Sequence, residues 1–127
     1  RCGTGHSVSF VGNVHEGPHA LNSRNTTRMR PGMVVTDEPG VYETDLVGIR
    51  IENELVCVHK ADNQYGTFLG FEPLMFVPIA TSPILPGVLD EIAWLNDYHR
   101  QVFAKLAPHL NDEERSWLAE KCAAIGC

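Results

Sequence analysis

A chain of 127 residues that is 43% hydrophobic and 20% charged has the ordinary composition of a soluble globular protein, with enough residues for one core. Its formal net charge of -6 argues against nucleic acid or an anionic membrane as the main partner, and no apolar run reaches the roughly 18–20 residues that span a bilayer. No signal-peptide order of charged, apolar and small residues opens it, and residue 1 is Arg; a piece of a longer protein is expected, with a processed N-terminus as the alternative.

Residues 1–80 are rich in Gly, Pro, Val and Thr, with short apolar runs between turn signals, as antiparallel strands require. Met33-Val34-Val35-Thr36 reads as a strand started by Pro31-Gly32 and stopped by Pro39-Gly40. Gly48 to His59 reads as a second strand with period-2 alternation. Ile49, Ile51, Leu55 and Cys57 fall on one face, and Arg50, Glu52, Glu54, Val56 and Val58 on the other. Thr67 to Ile79 is a third extended region, interrupted at Glu72-Pro73.

From Leu85 the period changes. Leu89, Ile92, Trp94 or Leu95, Tyr98, Val102 and Leu106 recur every three to four residues, which predicts an amphipathic helix with Pro86 in its first turn and Pro108 at its end. A second helix follows. Asn111 is its N-cap, Glu114 completes a capping box, Trp117, Leu118, Cys122 and Ile125 are its apolar positions, and Gly126 is its stop. Trp94, Tyr98, His99 and Trp117 read as helix-packing residues. The Pro-rich turn from Thr81 to Gly87 divides residues 1–80 from 81–127.

The cysteines Cys2, Cys57, Cys122 and Cys127 form no C-x-x-C pair, so neither a zinc knuckle nor a disulfide framework is indicated. Cys57 reads as a small buried hydrophobe, and free thiols suit a cytosolic protein. The chemistry-bearing candidates are a histidine and two carboxylates on sheet-like segments: His6 in Gly3-Thr4-Gly5-His6, Glu38 in Thr36-Asp37-Glu38-Pro39-Gly40, and Glu52 in Ile49-Arg50-Ile51-Glu52-Asn53. A hydrolytic metal pair needs hard anionic oxygens plus a few imidazoles. Taken singly, each has a plainer reading. His6 is a polar loop residue, Glu38 a solvated turn-edge carboxylate, and Glu52 a partner of Arg50 on an exposed strand face. His15, in Asn13-Val14-His15-Glu16-Gly17-Pro18, is a loop histidine, a ligand or a substrate contact.

Their order narrows the choice. Gly-Thr-Gly-His, Asn-Val-His-Glu-Gly-Pro, Pro-Gly-Met-Val-Val-Thr-x-Glu-Pro-Gly and Gly-Ile-Arg-Ile-Glu-Asn, followed by Phe71-Glu72-Pro73-Leu74 and Trp94-Leu95-Asn96-x-Tyr98-His99, together resemble the Xaa-Pro aminopeptidases. These are metallopeptidases of the pita-bread fold, related to prolidase, creatinase and methionine aminopeptidase. The tail resembles the C-terminal extension of their three-domain members, and the resemblance covers nearly all of the chain.

The resemblance implies an α+β fold: the C-terminal half of a pita-bread domain over residues 1–80, with a curved antiparallel sheet, and a helical extension over 81–127 that serves dimerisation. It implies that His6, Glu38 and Glu52 are metal ligands, with Glu52 bridging two divalent cations and Glu38 also moving protons. His15 contacts the substrate and stabilises the tetrahedral intermediate, and Arg50 sits behind the bridging carboxylate. Bridging suits a carboxylate because cations roughly 3.5–4 Å apart repel and anionic oxygen offsets this. Manganese is the expected metal, with cobalt or zinc as substitutes. The implied reaction is removal of the N-terminal residue from peptides with proline second, by a cytoplasmic homodimer with no nucleic-acid or membrane partner. An imide bond lacks an N–H and constrains φ, so it needs a dedicated pocket.

Ser7 stands where the family usually has Gly, and Cys2 where His is common. The family's two aspartate ligands and a further catalytic histidine lie upstream of residue 1, so the isolated chain is expected to be inactive and its sheet to have exposed edges. The alternatives are a prolidase-type dipeptidase and a non-catalytic binding module on the same fold. The C-terminal extension favours the aminopeptidase, and the joint presence of His6, Glu38 and Glu52 disfavours the binding module.

Overall fold

The computed structural model describes residues 3–84 and 90–126. Pro86, Leu89, Cys2 and Cys127, singled out above, lie outside them. Two compact units are formed, one running to Met75 and the other from Phe76.

The first unit is all strand and turn. Its strands are β1 (His6–Ser7), β2 (Glu16–Ala20), β3 (Val34–Asp37), β4 (Gly40–Glu43), β5 (Val47–Arg50), β6 (Asn53–Asn63) and β7 (Gly66–Pro73). Five of them make one antiparallel sheet in the order β2-β1-β3-β6-β7, and β4 and β5 make a separate two-stranded sheet. Pro31-Gly32 does start β3. Gly32 has φ +88, a conformation that favours glycine, and its N–H donates to the Cys57 carbonyl at 2.9 Å. The Cys57 N–H returns to the Met33 carbonyl at 2.8 Å, so the turn is fastened to β6. Val35 and Cys57 are both fully buried there.

The expected single strand from Gly48 to His59 is instead two. β5 ends at Arg50, β6 begins at Asn53, and Ile51 and Glu52 belong to neither. The reason is a change of partner: β5 pairs with β4, whereas β6 pairs with β3 and β7. Alternation therefore does not carry one buried face through the segment. Cys57 is buried, but Ile49 and Ile51 on the same expected face are exposed. β1, β2 and β4 were not individually visible as strands, being too short or too polar to show a period.

The second unit holds α1 (Ile92–Leu106), a 3-10 turn at Ala107–His109 containing Pro108, and α2 (Asp112–Lys121). Leu95, Tyr98, Val102 and Leu118 form its buried core, with Phe76, Ile79, Phe103 and Ile125 among the side chains packed on it. Two buried rings are also tied to the chain that precedes the helix. The Tyr98 hydroxyl donates to the Val77 carbonyl at 2.9 Å, and His99 Nε2 accepts the Ile79 N–H at 3.1 Å. Trp94 stacks on Tyr98 at 5.6 Å while remaining exposed, as does Trp117, so these two tryptophans are not core residues. The Asn111–Glu114 capping box is present. The helix it starts ends at Lys121, short of the expected stop at Gly126. Asn96 takes over the tail: its side chain accepts the Ile125 N–H and donates to the Ile125 carbonyl, both at 3.0 Å.

Candidate metal centre

His6 and Glu38 arrive at one place because β1 and β3 are neighbours in the sheet. Gly5 makes the approach possible. A Cβ added there would lie 2.1 Å from the Thr36 carbonyl oxygen, inside any allowed contact, so only glycine lets the strand come this near. Gly3 has open space and no such need. The Glu38 N–H donates to the Thr4 carbonyl at 2.8 Å, which brings the start of the carboxylate side chain level with His6.

His6 Nε2 lies 2.9 Å from Glu38 Oε1. The other ring nitrogen, Nδ1, is 2.9 Å from the Ser7 carbonyl. A carbonyl only accepts, so Nδ1 carries the hydrogen, and Nε2 is the nitrogen turned toward the carboxylate. His15 is exposed, and its ring stands edge-on to that of His6 with centroids 4.4 Å apart. The structure therefore places both sequence-predicted histidines against each other.

Arg50 links the two carboxylates. Gly40 pairs with Arg50 in the β4–β5 ladder, which sets the arginine beside the Pro39-Gly40 corner that follows Glu38. Its Nε is 3.0 Å from Glu52 Oε2, and its Nη1 is 3.6 Å from Glu38 Oε2. The guanidinium is held above its ordinary pKa, first by Glu52 and then by the hydroxyl of Tyr42. At neutral pH it is a fixed positive charge between two negative ones. The Glu38 side chain is 13% exposed and that of Glu52 35%, so Glu38 is the better shielded.

Two contributors were not singled out in the sequence. Thr36 donates from Oγ1 to Glu38 Oε1 at 2.9 Å. Tyr42 supports Arg50. The signal for Thr36 was available, since residues two apart on a strand face the same way. No periodicity pointed to Tyr42, which reaches Arg50 through hairpin pairing.

The donor set fits one side of a divalent-cation site: an imidazole nitrogen with its tautomer fixed by a carbonyl, and a carboxylate oxygen within bridging reach of it. Among the described residues, no group of three or more His, Cys, Asp or Glu side chains is gathered for a metal ion. Glu52, turned onto Arg50, does not join His6 and Glu38 in such a group.

Comparison with known proteins identifies the family. Residues 1–59 match the model of metallopeptidase family M24, and residues 67–125 match the C-terminal region of peptidase M24. Aminopeptidase P2 of Arabidopsis thaliana is 45% identical over 93% of this chain and 18% of its own length. A probable Xaa-Pro aminopeptidase P of Coprinopsis cinerea is 41% identical over 98% of this chain and 22% of its own. The X-prolyl aminopeptidase of Caenorhabditis elegans, described as a cytosolic enzyme with a di-nuclear active site, superposes with a TM-score of 0.86 at 41% identity, over 97% of this chain and 21% of that one. The chain thus spans 18% to 22% of the length of these relatives. The expected fold class holds: the structure is α+β, with the antiparallel sheet and C-terminal helices of a pita-bread peptidase. Matched by the family's models on both its sheet and its helical portion, the chain belongs to metallopeptidase family M24.

Proposed function

We propose that the whole protein carrying this sequence is a metal-dependent aminopeptidase that removes the N-terminal residue from peptides with proline in second position. The observation that supports this most is the 2.9 Å approach of His6 Nε2 to Glu38 Oε1 beside an arginine-held Glu52. Two divalent ions, manganese with cobalt or zinc as substitutes, would be held by His6, Glu38 and Glu52 together with ligands from outside these residues. When bound, such a pair supplies an activated water and Lewis-acid stabilisation of charge on the scissile carbonyl.

The chain's own residues supply the rest. The Ser7 carbonyl keeps a hydrogen on His6 Nδ1, so that with a cation bound Nε2 would offer it a lone pair. Glu38 holds charge at the site and accepts and returns a proton. Arg50 restrains both carboxylates against their mutual repulsion. His15, exposed and edge-on to His6, would contact the substrate and stabilise the tetrahedral intermediate in this reading.

Residues 1–80 belong to the catalytic domain in this reading, and 81–127 form the helical extension through which a homodimer assembles. The proposed site of action is the cytoplasm, as for the Caenorhabditis elegans relative described as a cytosolic enzyme. The isolated chain is inactive in this account because its ligand set is partial.

The test is manganese-dependent release of the first residue from an Xaa-Pro-Pro peptide by the whole protein, with Glu52→Ala as control. Release that vanishes in the control supports the reading. No release under any divalent metal contradicts it and moves the weight to a non-catalytic binding protein. Cleavage confined to Xaa-Pro dipeptides replaces it with a prolidase.

A further inference from the structure

We infer that Thr36 is a positioning residue of this centre: its hydroxyl ties the His6 main chain to the Glu38 carboxylate and selects which Glu38 oxygen meets the imidazole. The inference rests on the reading of His6 and Glu38 as ligands and adds a third residue that touches neither metal nor substrate.

The need for it arises in β1. The pairing of β1 with β2 shifts register between His6 and Ser7, and β1 pairs with β3 only at Ser7 and Val35. The His6 N–H therefore goes to a side chain: Thr36 Oγ1 accepts it at 3.0 Å. A threonine hydroxyl has one hydrogen to give. Two acceptors stand near, Glu38 Oε1 at 2.9 Å and the His6 carbonyl at 3.5 Å. The nearer, charged acceptor takes it, because hydrogen bonds to a carboxylate are the stronger kind.

The result is a closed arrangement. Thr36 Oγ1 binds the His6 backbone, donates to Glu38 Oε1, and that oxygen faces His6 Nε2 at 2.9 Å. Glu38 Oε2 is left for Arg50. The carboxylate is thereby fixed against rotation by a hydroxyl on one oxygen and a guanidinium on the other. Thr36 is only 6% exposed, so water has little access to take over either hydrogen bond, and a β-branched side chain holds its χ1 stiffly. Serine would keep the hydroxyl with a looser rotamer. Alanine would leave the His6 N–H without its acceptor and Glu38 free to turn.

The experiment compares Thr36→Ser and Thr36→Ala in the whole protein. Neither is larger than threonine, and they differ from each other only in the hydroxyl. Manganese affinity is read by electron paramagnetic resonance of the free ion, and kcat and KM are read separately on an Xaa-Pro-Pro peptide. Loss of a hydrogen-bonded support behind a ligand lowers metal affinity or activity by about 10–100-fold. The Ala variant is expected to lose about tenfold or more in manganese affinity and in kcat at nearly constant KM, while the Ser variant stays within about threefold of the unchanged protein. Ser and Ala variants that agree within about twofold overturn the inference. Should the Ala variant lose its circular-dichroism spectrum, Thr36→Val is compared with Thr36→Ser in its place, under the same criterion. Failure of the unchanged protein to bind manganese or release a residue defeats the peptidase reading, and with it the role of Thr36. An active unchanged protein with equal Ser and Ala variants defeats the role of Thr36 alone.

Discussion

Arg50 grips Glu52 through Nε at 3.0 Å while its Nη1 stands 3.6 Å from Glu38, so one guanidinium serves two carboxylates on separate strand ends. Its planar fork allows this; a lysine ammonium is a point charge on a flexible stem. Arg50→Ala should leave two carboxylates repelling across the site, and Arg50→Lys should restore the charge without the fork. In the whole protein, both variants are expected to lose about 10-fold or more in kcat/KM, with Lys recovering less than half of the loss on a logarithmic scale. Steady-state kinetics of the two variants check this. Full recovery by Lys would show that charge alone matters.

Gly5 is the point where backbone approaches backbone. An added Cβ would meet the Thr36 carbonyl oxygen at 2.1 Å, and backbone cannot swing aside as a side chain can. Gly5→Ala is expected to destabilise the sheet by about 1–3 kcal/mol, as overpacking does, and to weaken metal binding with it. The midpoint of denaturant unfolding gives the first quantity. Gly3→Ala is the internal control, since nothing lies within 4 Å of a Cβ at that position.

The capping box of α2 offers a test remote from the chemistry. Asn111 Oδ1 accepts the Glu114 N–H, and Glu114 Oε2 accepts the Asn111 N–H, each at 3.0 Å. Asn111→Ala should cost about 1 kcal/mol, and Glu114→Ala should cost less in the Asn111→Ala background than alone, because the two bonds support one turn. Equilibrium unfolding of the two single variants and the double variant measures the coupling.

The helical unit should weaken in mild acid. The His99 side chain is 0% exposed, and burial holds its pKa below the ordinary 6.5. Its Nε2 accepts from Ile79, and its Nδ1 has no hydrogen-bond partner among the described residues. Arg100 and Cys122 line the same small cavity. The unfolded chain therefore takes up the proton first as pH falls. Stability is full above about 6.5 and declines below it, toward the depressed folded-state value. His99→Gln keeps an acceptor for Ile79 and removes the titration. The fall in melting temperature between pH 7.5 and 5.5 should shrink in that variant. An unchanged fall would assign the acid sensitivity to other groups.

Much of this was legible in the residues themselves. Asn111 with Glu114 spelled out a helix start that the structure reproduces, and the spacing of Leu95, Tyr98 and Val102 gave the buried face of α1. The helix end was misread at Gly126 because Asn96, far away in sequence, captures Ile125 and lets the chain leave the helix early. The break at Ile51-Glu52 was hidden for a related reason: alternation continues through it, and only the change of strand partners interrupts the ladder. At the site, the motif order pointed to His6, Glu38, Arg50, Glu52 and His15. That Thr36 faces the same way as Glu38 was readable from their spacing, but its bond to the His6 N–H depends on a register shift in a two-residue strand, which no local pattern announces.

The central claim is that His6, Glu38 and Glu52 form one side of a two-metal centre. Anomalous scattering from a crystal of the whole protein grown with manganese tests it most directly. The account predicts two peaks roughly 3.5–4 Å apart, one of them bound by His6 Nε2 and Glu38, with Glu52 reaching both. Peaks that avoid His6 and Glu38, or a single peak with Glu52 still turned onto Arg50 alone, would contradict it.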